Sequence, residues 1–286
     1  MKGTIKKLVS APYKLALRGM PDRVALSIEY YRRLGRFPNL SSPVLFTEKC
    51  QVRKMNDRDQ RHLVLVDKVN VKDFVAARLG HEWLIPTLWS GPALPPRSER
   101  NWPVPFVMKT NHTSGGNIFV RSPADLDWDA IELRISEWMA RPYEPHTRQW
   151  AYNSIERKII VEPFIGEAGT LPTDYKLFVF RGRVEFIEVD TDRERAHKRS
   201  FYNRDWERQP FGLQYPLDPR EAPKPSCLSE MIRGAEILAE DAPFIRVDLY
   251  DVGGRPLFGE MTLFPDGGMG KFTPPEMDRV FGDLMG

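Results

Sequence analysis

The sequence contains few cysteines, and they show no arrangement suited to a metal site or a disulfide framework. Among 286 residues there are only two, Cys50 and Cys227, which lie far apart and lack metal-ligand spacing. Two thiols in a chain of this size are typical of a protein that folds in a reducing compartment. We therefore predict a cytoplasmic protein without disulfides.

Excess charge and long apolar runs are also lacking. The chain has 42 Lys and Arg residues against 39 Asp and Glu, a formal net charge of only +3. This small excess does not support nucleic-acid binding through counterion release. No stretch approaches the roughly 18 to 20 apolar residues of a membrane-spanning helix. We predict neither a nucleic-acid partner nor a transmembrane segment.

The first residues carry positive charge but do not form a signal peptide. Pro12, Lys14 and Arg18 interrupt the apolar residues of the segment MKGTIKKLVSAPYKLALRGMP, so export is not predicted. Two interpretations of this start are left open. A solvated or packed helical leader is favoured over a helix that lies on an anionic membrane surface.

Proline is abundant, and its 25 residues favour many turns over an all-helical bundle. Helices are predicted at 24–35, 63–79, about 125–141 and 229–240. Strands are predicted at 104–110, at 118–120, in KIIVEPFIG, and in two hairpins, one about Arg181 and Gly182 and one about Gly253 and Gly254. Helices interleaved with mostly antiparallel strands indicate the α+β class.

The last hairpin carries polar side chains at alternate positions of otherwise apolar strands. Arg246 and Asp248 share one face of RVDLY, and Glu260 and Thr262 share one face of FGEMT. Alternation of this kind places chemically active groups on one side of a sheet while the other side packs into a core. The relative register of the two strands then decides which groups meet.

Turn length sets that register. A two-residue turn at Gly253 and Gly254 would put Asp248 opposite Gly259, whereas a turn of three or five residues would put it opposite Glu260. We predict the odd-numbered turn. It places Asp248 opposite Glu260, and it also pairs the positions of Arg246 and Thr262.

Two carboxylates that face each other across a ladder are about 5 Å apart, where like charges repel unless a cation lies between them. Oxygen ligands without His or Cys suit Mg²⁺, which keeps several waters and commonly binds substrate phosphates. We favour a metal site at Asp248 and Glu260. The alternative is that one carboxylate simply faces solvent.

The segment KTNHTSGGN, residues 109–117, contains a small, flexible loop between two predicted strands. Its glycines, Gly115 and Gly116, would let backbone N–H groups approach phosphate oxygens, and Lys109 would add a positive charge. The spacing is not that of a P-loop, and such a loop alone is more often a plain hairpin turn. The carboxylate hairpin makes the phosphate-binding interpretation the favoured one.

The segment VEPFIG, residues 161–166, is a strand that enters a proline break. Backbone groups exposed at such a break are suited to holding an adenine ring, although the segment taken by itself strongly favours a simple proline-terminated strand.

Six ordered sequence blocks resemble the ATP-grasp superfamily, and most closely its TupA-like branch, which is named for teichuronopeptide biosynthesis. The resemblance covers about residues 35–280. The blocks are FTEKCQVRKMNDRDQ, LVDKVNVKDFVAARLG, FVMKTNHTSGGN, DYKLFVFRGRVEFIEVDTDR, HKRSFYNRDW and FIRVDLYDVGGRPLFGEMTLFPDGG.

The resemblance implies an ATP-grasp fold in which two α+β subdomains enclose a nucleotide cleft, preceded by a smaller N-terminal region. It implies ATP and Mg²⁺ as cofactors, and a ligase that joins a carboxylate to an amine or another nucleophile through an acyl phosphate. We divide the chain into a leader (1–35), a substrate-side region (36–100), a small subdomain (101–166) and a large subdomain (167–286).

The resemblance also implies roles for individual residues. Metal binding is implied for Asp248 and Glu260, with Thr262 at a position where most of the superfamily has Asn. Catalytic charge stabilisation is implied for Arg246 and Lys176. The implied nucleotide-binding residues are Lys68, Lys109, Ser114, Gly115, Gly116, Glu162, Ile165 and Asp174, with Glu167 as a less favoured alternative to Asp174 at the ribose.

The segment 192–206 is dense in cations, and its residues His197, Lys198 and Arg199 are candidates for binding an anionic acceptor such as a uronic-acid or polyglutamate unit. A solvated loop is an equal alternative, although nearby aromatic residues require part of the segment to pack. The predicted partners are thus ATP, a carboxylate substrate and an amine or related nucleophile, with peripheral association with surface-polymer machinery left open.

Two other functions are left open. One is a phosphotransferase that uses the same cleft on a hydroxyl of a sugar or polymer. The other is a nucleotide-binding module without catalysis within a polymer-assembly complex.

Overall fold

The computed structural model describes Tyr13 and residues 15–166, 170–191 and 197–286. Helices in this part of the chain are α1 (Asp22–Leu34), α2 (Phe46–Asn56), α3 (Arg61–Leu65), α4 (Val71–Leu79), α5 (Trp128–Ala140), α6 (Trp150–Ser154), α7 (Leu228–Ala239) and α8 (Met277–Met285). Within the described residues, no helix combines the length and apolar character needed to cross a bilayer.

The strands fall into three sheets. Strands β1 (Trp89–Gly91), β2 (Phe106–Thr110), β3 (Asn117–Val120) and β4 (Ile159–Pro163) form a four-stranded sheet in the order β1-β4-β2-β3. Strands β5 (Asp174–Phe180), β6 (Arg183–Thr191), β7 (Lys198–Asn203), β8 (Arg208–Gln209), β10 (Ile245–Val252) and β11 (Arg255–Thr262) form a six-stranded sheet in the order β11-β10-β5-β6-β7-β8. Strands β9 (Gly212–Leu213) and β12 (Phe272–Thr273) pair with each other.

The strand pairs within these sheets are antiparallel. The predicted α+β class is therefore confirmed, as are the hairpins at Arg181–Gly182 and Gly253–Gly254. The four-part division of the chain stays a prediction. The four-stranded sheet takes β1 from within the predicted substrate-side region.

The six-stranded sheet is amphipathic, and this property positions the site. Its apolar face is covered by α7, which packs against β5, β6 and β10. Helix α7 presents buried Leu228, Met231, Ile232, Ala235 and Leu238 at helical spacing, which is why this segment forms a helix against the sheet. The opposite face carries the charged residues of β5, β6, β10 and β11.

The predicted helix at 63–79 is wrong as a single element, because the chain turns between α3 and α4. The Asp67 carboxylate accepts hydrogen bonds from the backbone N–H of Val69 (2.9 Å) and from the Nδ2 groups of Asn70 (2.9 Å) and Asn111 (3.0 Å). Aspartate bonded to its own following backbone favours a turn over a helix interior. Lys68 therefore lies in a turn and not on a helix.

Candidate active site

The two carboxylates of the last hairpin face each other, as predicted. Asp248 on β10 pairs with Glu260 on β11, and Arg246 pairs with Thr262. The predicted odd-numbered turn is wrong, however, because Val252 pairs with Arg255 across a two-residue turn. The register shifts further along the ladder, between Asp248 and Leu249.

That shift is a β-bulge at Gly259. Leu249 pairs with Phe258 and Asp248 pairs with Glu260, so Gly259 has no partner of its own in the β10–β11 ladder. A bulge adds one residue to one strand and re-aims the side chains that follow it. The turn has glycines with φ of 60° and 78°, as a tight two-residue hairpin of the I′ type requires.

Asp248 is buried and paired with a guanidinium. Arg246 Nε donates to Asp248 Oδ1 at 2.7 Å, and Arg246 Nη2 donates to Asp248 Oδ2 at 2.6 Å. Burial raises the pKa of Asp248 to about 6, and the nearby Arg246 and Lys176 only partly oppose that rise. Arg246 Nη2 also donates to Thr262 Oγ1 at 3.2 Å, so one guanidinium connects both strands.

Glu260 is more open, with a third of its side chain exposed (33%), and is held by Lys68. Lys68 Nζ lies 3.2 Å from Glu260 Oε2 and donates to the carbonyl of Thr113 at 2.9 Å. Burial alone would raise the pKa of Glu260, but Lys68, Arg246 and Lys176 outweigh it and lower the pKa to about 2. Lys68 thus joins the carboxylate hairpin to the glycine loop.

Lys176 lies beside Asp248 on the neighbouring strand and is surrounded by carboxylates. It pairs closely with Asp174, and its Nζ lies 3.6 Å from Asp190 Oδ2 and 3.7 Å from Asp248 Oδ2. Burial would lower the pKa of Lys176, but these carboxylates raise it above its ordinary value. The residue is therefore a charged ammonium at neutral pH on the polar face of the sheet.

A second charged group lies on the small sheet. Glu162 on β4 is buried, and its two oxygens lie 2.5 Å from the Nζ atoms of Lys72 and Lys109. Burial would raise the pKa of Glu162, but the two lysines outweigh burial and lower it. Lys109 is thus held at the end of β2 by a carboxylate of the strand beside it.

The glycine loop connects β2 to β3, and Lys109 pairs with Asn117 at its base. It is therefore a hairpin loop by topology. Ser114 and Gly115 are exposed, and Gly115 has a φ of 76°, a left-handed conformation that favours glycine. The contact between Lys68 Nζ and the Thr113 carbonyl brings this hairpin toward the carboxylate hairpin.

The remaining predicted nucleotide residues flank the junction between the two sheets. Glu162 and Pro163 end β4, and Ile165 follows in a half-buried position. Asp174 begins β5, where it is buried and pairs across the ladder with Asp190. Glu167 lies outside the described residues.

The predicted acceptor segment is described only from residue 197 onward. The His197 ring lies against the Tyr215 ring, with centroids 3.8 Å apart, and its Nε2 lies 2.9 Å from Asp190 Oδ1. Lys198 is half-buried. The expectation that the nearby aromatics pack is confirmed, since Tyr202 is buried and stacks on Trp206 at 4.3 Å.

Arg199 is buried among three carboxylates from two parts of the chain. Its Nε donates to Asp190 Oδ1 at 2.8 Å and its Nη1 donates to Asp266 Oδ2 at 3.1 Å, while Nη2 lies 3.0 Å from Glu188 Oε1. Asp266 belongs to the turn that follows β11. Arg199 therefore ties β6 and β7 to the end of the carboxylate hairpin.

The sequence analysis missed four residues of this charged face and its surroundings: Lys72, Glu188, Asp190 and Asp266. A signal existed for two of them, because Glu188 and Asp190 alternate with apolar residues on β6 as Arg246 and Asp248 do on β10. Lys72 and Asp266 carry no such signal. Their partners, Glu162 and Arg199, are 90 and 67 residues away in sequence.

The donor set fits magnesium better than a transition metal. Among the described residues, no group of three or more His, Cys, Asp or Glu side chains is arranged to hold a metal ion. A site with two carboxylates, Asp248 and Glu260, leaves coordination positions for water and phosphate oxygens, which Mg²⁺ prefers. Each carboxylate oxygen has two acceptor positions, so the pairing with Arg246 does not exhaust Asp248.

A six-stranded antiparallel sheet with facing carboxylates, beside a smaller sheet with a lysine and a glycine hairpin, defines an ATP-grasp fold. The chain belongs to the TupA-like ATP-grasp family, whose model matches residues 48–286. This membership supports an ATP-dependent ligase function. A comparison with curated protein sequences found no match.

Solved structures with similarity to the chain include D-alanine–D-alanine ligase from Bacillus anthracis, at 13% identity and a TM-score of 0.47, covering 78% of this chain and 66% of that one. The same enzyme complexed with ATP matches at 14% identity and a TM-score of 0.45, covering 78% and 65%. The ATP-grasp ligase PsnB complexed with a minimal precursor matches at 9% identity and a TM-score of 0.42, covering 71% and 54%. The chain thus spans less than two thirds of the length of each.

Proposed function

We propose that the protein is an ATP- and Mg²⁺-dependent ligase that joins a carboxylate to an amine or a related nucleophile. The observation that carries this proposal is the pairing of Asp248 with Glu260 beside the cations Lys68, Lys176 and Arg246. Membership of the TupA-like family supports a role in the biosynthesis or modification of a cell-surface polysaccharide or amino-acid polymer.

In this proposal Asp248 and Glu260 hold Mg²⁺, and Thr262 contributes through its hydroxyl. The bound metal would neutralise phosphate charge and orient the phosphates. Thr262 already accepts a hydrogen bond from Arg246 (3.2 Å), so its hydroxyl has a fixed place beside the two carboxylates.

ATP would lie between the two sheets. Lys68 and Lys109 would contact its phosphates, while Ser114, Gly115 and Gly116 would close over them through backbone N–H groups. Adenine would contact the backbone from Glu162 to Ile165, and Asp174 would reach the ribose. The contact of Lys68 with both Thr113 and Glu260 supports this placement, because one ammonium group already spans the two hairpins.

The reaction would proceed in two steps. A carboxylate oxygen of the substrate attacks the γ-phosphorus of ATP, the bond from that phosphorus to the bridging oxygen breaks, and ADP leaves with the electron pair. The amine nitrogen then attacks the acyl carbon, inorganic phosphate leaves, and the nitrogen loses a proton to solvent.

Lys176 and Arg246 would stabilise the charge on the transferred phosphoryl group. Phosphoryl transfer depends mainly on positioning and charge stabilisation, so fixed cations are the groups it requires. Both side chains are already fixed by buried carboxylates, Lys176 by Asp174 and Arg246 by Asp248. They would therefore need little reorganisation during the reaction.

On the acceptor side, His197, Lys198 and Arg199 remain the predicted residues for an anionic substrate. These three residues lie at different depths, so they would contribute to substrate binding in different ways. Arg199 is already bonded to Asp190 and Asp266, so it would act by holding the turn after β11 in place. His197 and Lys198 are nearer the surface, since His197 keeps 21% of its side chain exposed and Lys198 is half-buried.

Thermal melting with ATP and Mg²⁺, separately and together, tests the proposal. A ligand that binds only the folded state raises stability by about 2.7 kcal/mol at a hundredfold excess over its dissociation constant. We expect ATP to stabilise the wild type and Mg²⁺ to increase the effect, and we expect Asp248→Asn to lose only the Mg²⁺ increment. Asp205→Asn, at an exposed position, is the matched control.

Hydroxylamine trapping then separates a ligase from a phosphotransferase. An acyl phosphate reacts with hydroxylamine to give a hydroxamate, whereas a phosphate ester on a hydroxyl does not. A stably phosphorylated product without hydroxamate would contradict ligation. No melting shift with any nucleotide would contradict the whole assignment.

A further inference from the structure

A cavity of about 430 Å³ lies beside the first residues of helices α1 and α6, and its lining contains none of the candidate nucleotide or metal residues. We call it the arginine pocket. Its lining includes Asp22, Arg58, Arg148, Gln149, Trp150 and Arg157. Three of them are cationic and one is anionic, so the pocket has an excess of positive charge.

Each of the three guanidinium groups donates a hydrogen bond to a main-chain carbonyl. Arg58 Nη1 donates to the Lys54 carbonyl at 2.6 Å and Arg157 Nη1 donates to the Met139 carbonyl at 2.7 Å. Arg148 Nη2 donates to the Met20 carbonyl at 2.7 Å. A carbonyl orients a guanidinium but does not neutralise it.

The Asp22 carboxylate of the pocket lies closer to Arg148 than to Arg58. Asp22 Oδ1 lies 2.9 Å from Arg148 Nε, whereas Asp22 Oδ2 lies 3.9 Å from Arg58 Nη2. Within the described residues, Arg148 thus has a close carboxylate partner, Arg58 has only a distant one, and Arg157 forms no ion pair. Arg58 is further positioned over the Trp150 ring, 5.5 Å from its centroid.

Helix α6 contributes to the wall of the pocket and also to the buried interior. Trp150 lines the pocket, whereas Tyr152 on the same helix is buried and stacks on Tyr143 at 4.4 Å. Burial raises the pKa of Tyr152, and the charges of Tyr143 and Glu260 contribute to the rise. Helix α6 therefore carries both a residue of the pocket lining and a residue that interacts electrostatically with Glu260 of the carboxylate hairpin.

A second contact links the pocket to the turn after β11. A Cβ atom at Gly267 would lie 3.8 Å from Gln149 Nε2, so the pocket wall packs against this turn. The turn also carries Asp266, which binds Arg199. The pocket is thus close to the reacting region without being part of it.

We propose that the arginine pocket binds an oxyanion group, a carboxylate or phosphate, on a part of the acceptor that lies away from the reacting carboxylate. This inference rests on the proposed ligase function and adds that the acceptor is an extended, polyanionic molecule. Guanidinium groups match oxyanions through paired N–H donors, and pre-oriented ones lose little entropy on binding. Binding energy from remote parts of a substrate is available to position its reacting group.

Isothermal titration calorimetry on the full chain at about 0.15 M salt, where surface electrostatics are screened within about 8 Å, provides the test. The probes are tetraglutamate, inorganic phosphate and uncharged tetraglutamine. The variants are Arg58→Gln and Arg157→Gln. Arg233→Gln, an exposed position on α7, removes the same charge elsewhere.

We expect tetraglutamate or phosphate to bind the wild type, tetraglutamine not to bind, and each pocket variant to weaken binding by about tenfold or more, the scale of one charge-assisted hydrogen bond. Arg233→Gln should leave the affinity unchanged. Binding of tetraglutamate alone identifies a carboxylate ligand, and binding of phosphate alone identifies a phosphate ligand.

Absence of binding by both anions, or equal affinity in wild type, Arg58→Gln and Arg157→Gln, would overturn the proposal. The ATP-induced melting shift, measured on the same samples, keeps the two proposals separate. Loss of anion binding with a normal ATP shift rejects only the pocket. A missing ATP shift in the wild type rejects the ligase function.

Discussion

Asp248 lies directly opposite Glu260 because Gly259 is bulged out of the ladder between them and the turn. Without the bulge, the two-residue turn would pair Asp248 with Gly259, and Glu260 would point to the other face of the sheet. A single glycine therefore decides whether the two candidate metal ligands meet.

Gly259→Ala tests the importance of this bulge. An added Cβ would lie 3.0 Å from the Tyr250 ring and 3.1 Å from the Asp248 carbonyl, which is tighter than normal packing. We expect a loss of about 1–3 kcal/mol in the free energy of unfolding through overpacking. We also expect a higher Mg²⁺ concentration for half-maximal stabilisation by ATP. Gly19→Ala is the control, since a Cβ added at this position would have no atom within 4 Å apart from those of the adjoining residues.

If Gly259→Ala binds ATP with an unchanged Mg²⁺ requirement, the local geometry of the bulge does not matter for the metal.

Lys68→Met tests the link between the two hairpins. Because Lys68 is the strongest of the cations that lower the pKa of Glu260, its removal should raise that pKa above about 2. Metal binding needs both carboxylates ionised, and Asp248, with a pKa of about 6, already weakens it below that pH in the wild type. Added protonation of Glu260 should therefore make the loss of Mg²⁺-dependent ATP binding steeper as the pH falls below about 6. We also expect ATP affinity near pH 7 to fall about tenfold or more, the scale of one charge-assisted hydrogen bond.

Calorimetric titration of ATP and Mg²⁺ between acidic and neutral pH measures both effects. Lys224→Met removes the same charge at an exposed position and should behave as the wild type. If Lys68→Met keeps the ATP affinity of the wild type and loses Mg²⁺-dependent ATP binding over the same pH range, Lys68 is not part of the nucleotide site.

Lys72→Met tests the buried pair at Glu162. The pKa of Glu162 is lowered, so its interactions stabilise the fold above the ordinary carboxyl pKa and are lost as the pH falls through the folded value. Removing one of its two lysines should cost about 1–3 kcal/mol at pH 7, the range for leaving a buried group underbonded. The difference from wild type should shrink toward pH 3.

Denaturant unfolding across this pH range measures the difference. Lys158→Met is the matched control, because its partner Glu156 is mostly exposed and such pairs contribute less than about 1 kcal/mol. Equal effects of the two substitutions at pH 7 would mean that the Glu162 pair adds no more stability than a surface ion pair.

Glu188→Gln should stabilise the protein at alkaline pH. Burial raises the pKa of Glu188 to about 8, while Asp190, whose burial is outweighed by Lys176 and Arg199, has a lowered pKa. A raised carboxyl pKa means that the folded state binds the proton more tightly, so wild-type stability falls as pH rises from the ordinary value toward 8. Glutamine keeps the shape and removes this dependence.

We expect the variant to melt at least about 2 °C higher at pH 8, which corresponds to about 1 kcal/mol for a protein of this size. The difference should vanish near pH 4. Glu185→Gln, on the same strand but partly exposed, is the control. Parallel melting curves for wild type and Glu188→Gln over pH 4–8 would show that Glu188 is not protonated in the folded state.

The sequence by itself determined the strand faces. Alternation of polar and apolar residues has a period of two along any strand, so Asp248 and Glu260 were identifiable as residues of one polar face each. The glycine pair at Gly253 and Gly254 likewise located the hairpin, because only glycine adopts their left-handed conformations at low cost. These properties are local, and local sequence is enough to predict them.

Only the tertiary structure decided which charges meet. The bulge at Gly259 shifts the register by one residue, so that Asp248 pairs with Glu260 and not with Gly259. Asp67 breaks the helix predicted at 63–79 and also binds Asn111, which is 44 residues away. Which charged groups pair depends on their distance in space and on their burial. Neither quantity repeats at regular intervals along the sequence. Contacts such as those of Arg199 with Asp266 therefore emerge only when the chain is folded.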